Sequence, residues 1–370
     1  MTDLVIVGGG PAGLGAAIAC RLQGLSVSLL EQRRPPLDKP CGEGLMPDGV
    51  ACLERFGVRV TGRPFRGIRY CQSDGTIAEG DFPAGHGLGV RRPALHQAMV
   101  QRAEALGVEL LWGSKVETIE ARGEQGVEVV SGDRRRLGRY LVAADGLRSP
   151  LRRWAGLAGK AAQDRRFGVR QHFRCAPWSE RVEVHWAENA EAYITPVAAD
   201  EVGVAILWRR GKATWEQLLA RFPTLAERLA GCATTSRARG CGPLRQRVRG
   251  VRRDRTLLLG DAAGYVDAIT GEGMSLALHQ AEALADAVAS GRPQRYERAC
   301  RRLRRLPDAM TELLLALEKR PALRRRALRA LARERSVFDR LLAIHCRALP
   351  PSQLGLVPAT RLVWRFATGR

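Results

Sequence analysis

A glycine-rich turn near the start of the sequence has the residue types and spacing that bind a dinucleotide. Gly8, Gly10 and Gly13 follow an apolar run and precede a helical pattern over residues 11–22. Gly8 permits a tight turn, Gly10 lets the main chain approach a pyrophosphate, and Gly13 permits close packing of the helix on the strand. The first N–H groups of the helix would then face the phosphates. The cofactor-binding residues predicted here are Gly8, Gly10, Pro11, Ala12 and Gly13.

An acidic residue ends the next apolar run. Glu31 stands 18 residues after Gly13 and is followed by Gln32. A carboxylate at this position accepts a hydrogen bond from a ribose 2′-OH and disfavours a 2′-phosphate. We therefore expect Glu31 and Gln32 to belong to a dinucleotide site that does not take NADP. The pattern by itself leaves FAD and NAD open.

A second stretch, LLLGDAAGYVDAITGEGMSLAL at residues 257–278, places a carboxylate where an apolar run stops. Gly260 and Asp261 end the run, and Gly271 and Gly273 precede a helical pattern that starts at Met274. Glycines let the main chain approach a ligand closely, and a helix N-terminus favours negative charge. The alternative is that Asp261 only caps a helix.

Three stretches, in this order, resemble the FAD-dependent oxidoreductases of the p-hydroxybenzoate hydroxylase class. That class also includes geranylgeranyl reductases and flavin halogenases. The stretches are the opening glycine turn, VAADGLRSPLRR at residues 142–153, and residues 257–278. The resemblance covers about residues 1–290 and implies a protein similar to group A flavoprotein monooxygenases, with one non-covalent FAD.

The resemblance also implies roles for residues of the second stretch. Asp261, next to Gly260, would accept a hydrogen bond from a ribityl hydroxyl of FAD. Gly271 and Gly273 would let the main chain lie against the flavin. The helix that starts near Met274 would face the N1–C2=O edge of the flavin, where negative charge accumulates on reduction.

Residues between the two glycine turns receive roles from the same resemblance. The guanidinium of Arg92 would reach the FAD pyrophosphate, and Arg91 is the alternative in the neighbouring register. Val116 would lie against the adenine. Asp145 would mainly anchor its own loop by accepting hydrogen bonds from main-chain N–H groups.

The loop KPCGEGLMP at residues 39–47 most resembles geranylgeranyl reductases and polyketide-tailoring flavoenzymes. In those proteins a Cys-Gly-x-Gly segment passes near the isoalloxazine, so Gly42 and Gly44 are expected against the cofactor. Cys41 is a weak candidate for a catalytic residue. It either packs within the loop or lines the reaction cavity, and we do not expect it to be a nucleophile.

Alternating strands between residues 166 and 209 predict a second sheet over the reactive face of the flavin. Tyr193, Pro196 and Trp208 are expected to line an apolar or aromatic substrate pocket, although a plain core position is the simpler interpretation of each. His172 and His185 are candidate polar contacts that fit structural roles better. We find no Ser-His-Asp arrangement and no metal cluster in the sequence, and a flavin needs neither for redox chemistry.

The elements that must position these residues predict an α/β protein. We expect a Rossmann-like FAD-binding domain, a second, mostly antiparallel β-sheet substrate domain and a helical C-terminal tail. Because sheet material of another type interrupts the opening βαβ unit, both domains are expected to be discontinuous. The predicted FAD-binding domain comprises residues 1–66, 87–165 and 245–293, the substrate domain 67–86 and 166–244, and the basic helical region 294–370.

The net charge of +22 is concentrated near the C-terminus, where residues 291–370 hold 20 Lys and Arg against six Asp and Glu. This uneven distribution argues against a nucleic-acid partner. A solvated basic helical surface, packed on the FAD-binding domain, is the plain interpretation. Peripheral contact with a membrane, which would deliver a lipid-like substrate, is the alternative. It rests on an apolar helical stripe formed by Val337, Phe338, Leu341, Leu342 and His345.

The nine cysteines are scattered and form no CxxC pair. The sequence has no signal-peptide pattern and no apolar run of about 18 residues, the length that spans a membrane. We therefore expect reduced thiols and a location in the cytoplasm, either free or peripheral at the inner face of the membrane. No specific protein partner is implied.

The expected activity is that of an FAD-dependent oxidoreductase in which NAD(P)H binds transiently to reduce the flavin. The favoured reaction is monooxygenation, with O₂ used to hydroxylate an aromatic, polyketide-like or lipid-like small molecule. The alternative is reduction of an isoprenoid double bond, although the Tyr-x-Trp-x-Phe-Pro-type motif of such reductases is missing around Tyr193. A basic binding protein with an inert flavin fold is the third hypothesis.

Overall fold

The computed structural model describes residues 1–354, and within this range the chain forms three β-sheets and ten α-helices. The first sheet is built mainly of parallel strands. Its strands, numbered in chain order with the others, are β1 (Thr2–Val7), β2 (Val27–Glu31), β8 (Glu109–Trp112), β9 (Thr118–Ala121), β10 (Val127–Ser131), β11 (Arg134–Ala143), β18 (Arg252–Arg253) and β19 (Thr256–Leu258). The order is β18-β19-β11-β1-β2-β8, and β9 and β10 extend from β11.

Parallel pairing brings three separate stretches of the sequence to one edge of this sheet. Val7 at the end of β1 lies opposite Leu30 of β2 and Ala143 of β11. Leu258 at the end of β19 lies opposite the same Ala143. The chain therefore leaves β1, β11 and β19 at the same carboxyl edge, which is where ligands bind in open α/β sheets.

The helices that contribute buried residues to the core of the first sheet include α1 (Pro11–Leu22), α2 (Pro47–Arg55), α3 (Arg92–Ala105) and α7 (Gly273–Ala289). Helix α1 packs closely on α7 because its buried positions are mostly glycine and alanine. A Cβ atom placed on Gly15 would lie 3.1 Å from the side chain of Leu278.

The second sheet is mostly antiparallel, with only β13 and β5 running parallel. Its strands are β5 (Gly67–Gln72), β6 (Ile77–Asp81), β12 (Arg166–Arg174), β13 (Val182–Ala187), β14 (Ala190–Pro196), β15 (Glu201–Arg209), β16 (Ala233–Thr234) and β17 (Arg239–Cys241). The order is β16-β12-β15-β14-β13-β5-β6, and β17 pairs with β12. A small third sheet contains β3 (Gly44–Leu45), β4 (Arg63–Phe65) and β7 (Gly87–Gly89).

Side chains of the second sheet alternate between two apolar layers. One face packs on the short helices α5 (Trp215–Leu219) and α6 (Pro223–Leu229), through residues such as Phe173, Ile206 and Trp208. The other face carries Val182, Val184 and Trp186 and meets the C-terminal helices.

The C-terminal helices are α8 (Gln294–Glu318), α9 (Pro321–Arg333) and α10 (Arg335–His345). Helix α8 packs on α7, whereas α9 and α10 pack on strand β6 of the second sheet. The apolar stripe predicted at residues 337–345 is therefore turned inward, and Val337, Phe338 and Leu342 are buried. It covers the second sheet, and does not pack on the first sheet or form an apolar membrane-facing surface. Residues 355–370 of the predicted tail lie outside the described range.

Buried ion pairs fasten α8 to the second sheet. Arg166 donates to Asp267 at 2.9 Å and pairs with Glu191, and Arg209 donates to Glu318 at the end of α8 at 2.7 Å. Buried charges require such partners because removal from water is costly. The end of α8 is thereby held at a fixed place on the sheet.

The predicted α/β class, with a second mostly antiparallel sheet and a helical C-terminal region, is confirmed. None of the helices in residues 1–354 is long and apolar enough to cross a bilayer.

Candidate active site

A cavity of about 1160 Å³ lies between the carboxyl edge of the first sheet, the second sheet and the C-terminal helices. It is larger than the range of about 300–1000 Å³ that most small-molecule sites occupy. Both glycine turns, the loop at residues 39–46 and helices α8 to α10 contribute to its wall. The cavity can therefore hold a large cofactor together with a substrate.

The first glycine turn has the close main-chain contacts that its spacing predicts. Gly8 has a φ of +115°, and a Cβ atom there would lie 2.3 Å from the carbonyl oxygen of Ala144. A Cβ atom on Gly13 would lie 1.8 Å from the carbonyl oxygen of Gly8. Gly10 differs, because no heavy atom lies within 4 Å of the place its Cβ would take and the residue lines the cavity. The turn is tightly packed behind and open toward the cavity.

The second glycine turn lies against the first. Gly260 has a φ of +60°, and a Cβ atom on it would lie 2.8 Å from the Cβ atom of Ala12. Its N–H donates to the Gln280 side chain of α7 at 3.0 Å. Both Ala12 and Gly260 line the cavity, so the two turns converge on the same space.

Two cations in this part of the cavity have no partner of opposite charge in residues 1–354. Arg92 is 5% exposed, its Nε has no hydrogen-bond partner, and its Nη1 contacts the sulfur of Met274 at 3.4 Å. Lys39 also lines the cavity without forming an ion pair there, and burial lowers the pKa of its ammonium group. A buried cation without a counterion is costly. An anionic ligand such as a pyrophosphate would supply the missing charge.

The carboxylate of Asp261 completes this group. In the described part of the chain it accepts no hydrogen bond and forms no ion pair within 4 Å, and it lines the cavity. Burial raises its pKa, while Lys39 and Arg92 act in the opposite direction. A carboxylate in this setting is ready to accept hydrogen bonds from ligand hydroxyls.

Asp145 anchors the segment after β11. Its carboxylate accepts hydrogen bonds from Ser149 Oγ at 2.5 Å and from the main-chain N–H of Leu151 at 3.1 Å. This fixes the start of the short helix α4 (Pro150–Trp154), while Asp145 itself lines the cavity.

The loop around Cys41 is held by a buried carboxylate that the sequence did not reveal. Glu43 has a φ of +60°, which is uncommon outside glycine, and its side chain accepts hydrogen bonds from the N–H of Arg92 at 2.8 Å and from Nε2 of His172 at 2.5 Å. Thr195 Oγ1 donates to the carbonyl oxygen of Gly42 at 2.7 Å. These bonds seat the loop on the cavity wall.

His172 is a positioning residue in this network. The Nη1 of Arg170 lies 3.0 Å from its Nδ1. A guanidinium can only donate, so Nδ1 accepts and the ring proton stays on Nε2, facing Glu43. Arg170 is 1% exposed, lines the cavity and also pairs with Asp38. His172, Glu43 and Arg170 therefore form one buried polar unit beneath the loop.

Cys41 lines the cavity, with its sulfur 3.9 Å from that of Met274. Burial raises the pKa of its thiol. The residue is therefore a neutral thiol near pH 7.

One part of the cavity wall is mainly apolar and comes from two separate parts of the chain. We call this part the channel. The second sheet contributes Ile68, Tyr70, Val182 and Val184. The C-terminal helices contribute Met310, Leu313, Leu314, Leu317, Leu323, Ala327, Leu331, Phe338, Leu341, Leu342 and His345. A long apolar molecule fits such a lining.

Comparison with known proteins identifies the family of this chain. A family model described as an FAD binding domain matches residues 1–292. The chain belongs to this FAD-binding family. It is an FAD-dependent oxidoreductase, and FAD is the ligand to which the converging turns and unpaired charges correspond.

Relatives of this FAD-binding protein include reductases and monooxygenases. It is 29% identical over 301 residues to a menaquinone reductase of Mycobacterium tuberculosis, covering 75% of this chain and 74% of that one. It is 28% identical over 306 residues to digeranylgeranylglycerophospholipid reductase 1 of Methanopyrus kandleri, covering 75% and 77%. A rifampicin monooxygenase of Streptomyces venezuelae is 30% identical over 173 residues, covering 43% and 34%.

Solved structures share the fold over the whole chain. A flavoprotein/dehydrogenase from Cytophaga hutchinsonii has a TM-score of 0.83 at 15% identity, with full coverage of both chains. A p-nitrophenol 4-monooxygenase from Pseudomonas putida has a TM-score of 0.76 at 20% identity, covering 98% of each chain.

The cavity residues fit FAD on grounds internal to this structure. Arg92 and Lys39 present unpaired positive charge for the pyrophosphate, and Asp261 presents an unpaired acceptor for a hydroxyl. Gly10 and Gly42 leave open space where a side chain would otherwise stand. Arg91, the alternative to Arg92, donates instead to Glu201 at 2.6 Å and does not line the cavity.

Most of the residues predicted to bind the cofactor are brought together. Those that line the cavity are Gly10, Pro11, Ala12, Gln32, Gly42, Gly44, Arg92, Asp145, Gly260, Asp261, Gly271, Gly273 and Met274. Gly8 and Gly13 lie behind them and shape the turn.

Two predicted cofactor residues lie elsewhere. Glu31 lies behind the first turn and not on the cavity wall, because its carboxylate accepts the N–H groups of Gly9 at 2.8 Å and Arg33 at 3.1 Å. These hydrogen bonds fix the first glycine turn. Val116 packs against the core of the first sheet and does not line the cavity.

The predicted substrate residues divide by strand alternation. Tyr193 lines the cavity and its hydroxyl donates to the carbonyl oxygen of Ile269 at 2.7 Å. Trp208 points to the opposite face of the sheet, where its Nε1 donates to Gly211, so its assignment to the pocket was wrong. Pro196 is also outside the cavity, since its carbonyl group packs against Gly89. His185 lies off the cavity and bonds to Glu183 at 3.0 Å.

Proposed function

We propose that this FAD-dependent enzyme is a monooxygenase that hydroxylates an aromatic molecule bearing a long apolar chain. The observation that carries the proposal is the channel, which continues the FAD cavity between the second sheet and helices α8 to α10. A small phenol would leave most of this apolar surface without contacts, whereas a chain of many methylene groups gains about 0.8 kcal/mol for each one buried.

In this reaction one oxygen atom of O₂ enters a C–H bond of the ring and the other leaves as water. The two electrons required would come from NAD(P)H, which would bind transiently. Bound FAD would supply the chemistry that transfers these electrons and activates O₂. Arg92, Lys39 and Asp261 would hold the cofactor, and the loop seated by Glu43 would lie beside its reactive ring. The apolar channel would exclude water from the reacting centre.

The acids beside the Cys41 loop favour hydroxylation over saturation of an unactivated double bond, since Asp261, which also lines the cavity, is assigned to the cofactor. Saturation requires a proton donor strong enough to protonate an alkene carbon. Cys41 is a weak acid because burial raises the pKa of its thiol. The nearby carboxylates of Asp38 and Glu43 are occupied by Arg170 and His172. Attack of an electrophilic oxygen on an electron-rich ring does not need a strong acid at this position.

Reduction of an isoprenoid double bond is the second candidate. It is favoured by the relatives that cover about three quarters of both chains, which are named as reductases. An isoprenoid chain would occupy the same channel.

The two candidates differ in their need for O₂. The experiment supplies FAD-loaded enzyme with NADH or NADPH and with either 3-pentadecylphenol or geranylgeraniol, in air and under anaerobic conditions, and identifies products by mass spectrometry. The proposal requires a phenol product heavier by one oxygen atom, labelled from ¹⁸O₂ and absent without O₂. Saturated geranylgeraniol formed anaerobically, with no hydroxylated phenol, would establish the second candidate instead.

A further inference from the structure

The C-terminal helices carry an electrostatic surface around the place where the channel reaches the protein exterior. We propose that this surface docks the enzyme on an anionic lipid bilayer and that the channel takes its substrate from that bilayer. This proposal rests on the proposed function, because a lipid-like substrate is the reason for docking on a bilayer. The location of the docking surface rests on the exposure and charge of its residues, and vesicle binding tests it without catalytic turnover.

Leu313 marks the opening. It lines the cavity, yet 53% of its surface is exposed, so the channel reaches solvent beside helix α8. Large apolar side chains with this exposure are few in the described residues, and Leu313 is the one among them that also belongs to the cavity wall. An apolar passage that ends at an exposed leucine suits a molecule arriving from an apolar phase.

The helices around the opening carry many basic side chains on their outer surface. In residues 292–354, fourteen exposed side chains are cationic, whereas Glu312 is the one exposed side chain that is acidic. Four of the fourteen, Arg301, Lys319, Arg329 and Arg335, form ion pairs with acidic residues, and the other ten form none in residues 1–354. Juxtamembrane basic clusters of this kind are attracted by anionic headgroups. The charge is therefore complementary to the bilayer surface that the proposal requires.

Three of these cations lie close in sequence to channel residues, one in the turn between α8 and α9 and two within the first half of α9. Arg320, Arg325 and Arg326 are exposed and form no ion pair within 4.0 Å in residues 1–354. Leu317 and Leu323, on either side of this turn, line the channel. A headgroup phosphate bound here would place the acyl region of the bilayer near the opening.

The proposed contact differs from insertion of an amphipathic helix. The apolar stripe of α10 is buried against the second sheet and is not available to lipid. Attraction therefore comes mainly from arginines, with a small apolar contribution from Leu313. Such binding should depend strongly on salt, since the Debye length falls from about 10 Å at 0.1 M salt to about 3 Å at 1 M.

The test is sedimentation of the full, FAD-loaded protein with two kinds of vesicle, one of phosphatidylcholine alone and one containing phosphatidylglycerol as well. We expect binding to the anionic vesicles, release by 1 M NaCl and little binding to phosphatidylcholine alone. The triple variant R320E/R325E/R326E should lose at least about a hundredfold in affinity, because each basic residue near an anionic surface contributes about a fivefold change.

A matched control removes the same amount of charge elsewhere. Arg59, Arg237 and Arg249 are exposed, unpaired within residues 1–354 and outside the C-terminal helices, so the triple variant R59E/R237E/R249E should keep most of the vesicle binding. L313Q should weaken the binding that remains at intermediate salt.

Equal losses in the two triple variants would overturn the proposal, as would vesicle binding that ignores lipid charge. Binding to duplex DNA or to an acidic protein, without binding to anionic vesicles, would overturn it as well. Because the assay contains no substrate, these outcomes are independent of whether the enzyme hydroxylates a lipid-like phenol.

Discussion

The main chain of Gly260 lies so close to Ala12 that a Cβ atom on Gly260 would stand 2.8 Å from the Cβ atom of Ala12. These residues belong to the two glycine turns. Along the sequence, the stretch between the turns makes up more than two thirds of the region that the FAD-binding family model matches. Their contact places both turns on one cavity. The shape of the FAD site therefore depends on the absence of a side chain at position 260.

G260A should disturb this contact and lower FAD affinity together with stability. It adds both a clash with Ala12 and the strain of a non-glycine residue at φ +60°, which costs about 1–3 kcal/mol. G24A is the matched control, because Gly24 has a φ of +79° and no heavy atom within 4 Å of the added Cβ. A comparison of the thermal unfolding of G260A and G24A should separate the clash with Ala12 from the strain of the positive φ.

The double variant A12G/G260A isolates the contact itself. Removing the Ala12 methyl group should restore part of the FAD affinity lost in G260A, as measured by flavin fluorescence titration. Additive losses in the double variant would mean that the two turns do not interact.

R92A should release FAD more readily than the wild-type protein. A hydrogen bond to a charged group is worth about 1.5–3 kcal/mol, so we expect roughly a 10- to 150-fold weaker FAD affinity. R91A removes a neighbouring cation that pairs with Glu201 and lies off the cavity. If R91A weakened FAD binding as much as R92A, the assignment of the pyrophosphate contact to Arg92 would be wrong.

D261N should stabilise the protein without FAD while weakening its hold on FAD. Burial raises the pKa of Asp261 above its ordinary value of 3.8, so the fold favours the protonated group. The stability that this group contributes is present below the ordinary pKa and is lost as the pH rises through the raised pKa. At pH 7 the ionised carboxylate therefore destabilises the FAD-free protein, and replacement by asparagine removes this destabilisation.

Calorimetry of the FAD-free proteins provides the check. D261N should unfold at a higher temperature than wild type at pH 7, and the difference should shrink near pH 4. A lower unfolding temperature at pH 7 would indicate that the carboxylate has a stabilising partner in the absence of FAD.

E43A should loosen the loop that carries Cys41. The N–H of Arg92 and the Nε2–H of His172 would lose their acceptor, and each buried group left unpaired costs about 1–3 kcal/mol. Cys41 should then react faster with iodoacetamide, followed by mass spectrometry of the labelled peptide. E43Q shares the φ of +60° and keeps an acceptor oxygen, so it should be intermediate. Unchanged labelling in E43A would remove Glu43 from this positioning role.

A327W should shorten the channel. Ala327 lines it on helix α9, and A322W adds the same ring at an exposed position of the same helix. The KM for 3-pentadecylphenol should rise about tenfold for every two methylene groups displaced. The KM for phenol itself should hardly change. Equal effects on the two substrates would show that the channel does not hold the chain.

The sequence predicted the first sheet and both glycine turns because their chemistry is local. A turn with φ values such as those of Gly8 and Gly260 requires glycine, and the apolar runs before them are short and buried. Parallel pairing then brings the turns together whatever the intervening chain does.

The features that were missed depend on contacts between distant elements. Tyr193 and Trp208 lie on neighbouring strands whose side chains alternate between two faces. Packing of one face against α5 and α6 determines which face of the sheet meets the cavity. Glu43 binds His172, 129 positions later in the chain. The apolar stripe of α10 faces the protein interior because α10 packs on β6. The helical spacing at residues 337–345 does not show which element the stripe packs on.

Titration of FAD into the FAD-free protein shows whether the two glycine turns bind one cofactor. We expect one equivalent of bound FAD, and we expect G10V and G260V each to weaken the binding of that same equivalent. Two independent binding events, or normal FAD affinity in either variant, would contradict the conclusion that both turns hold one cofactor.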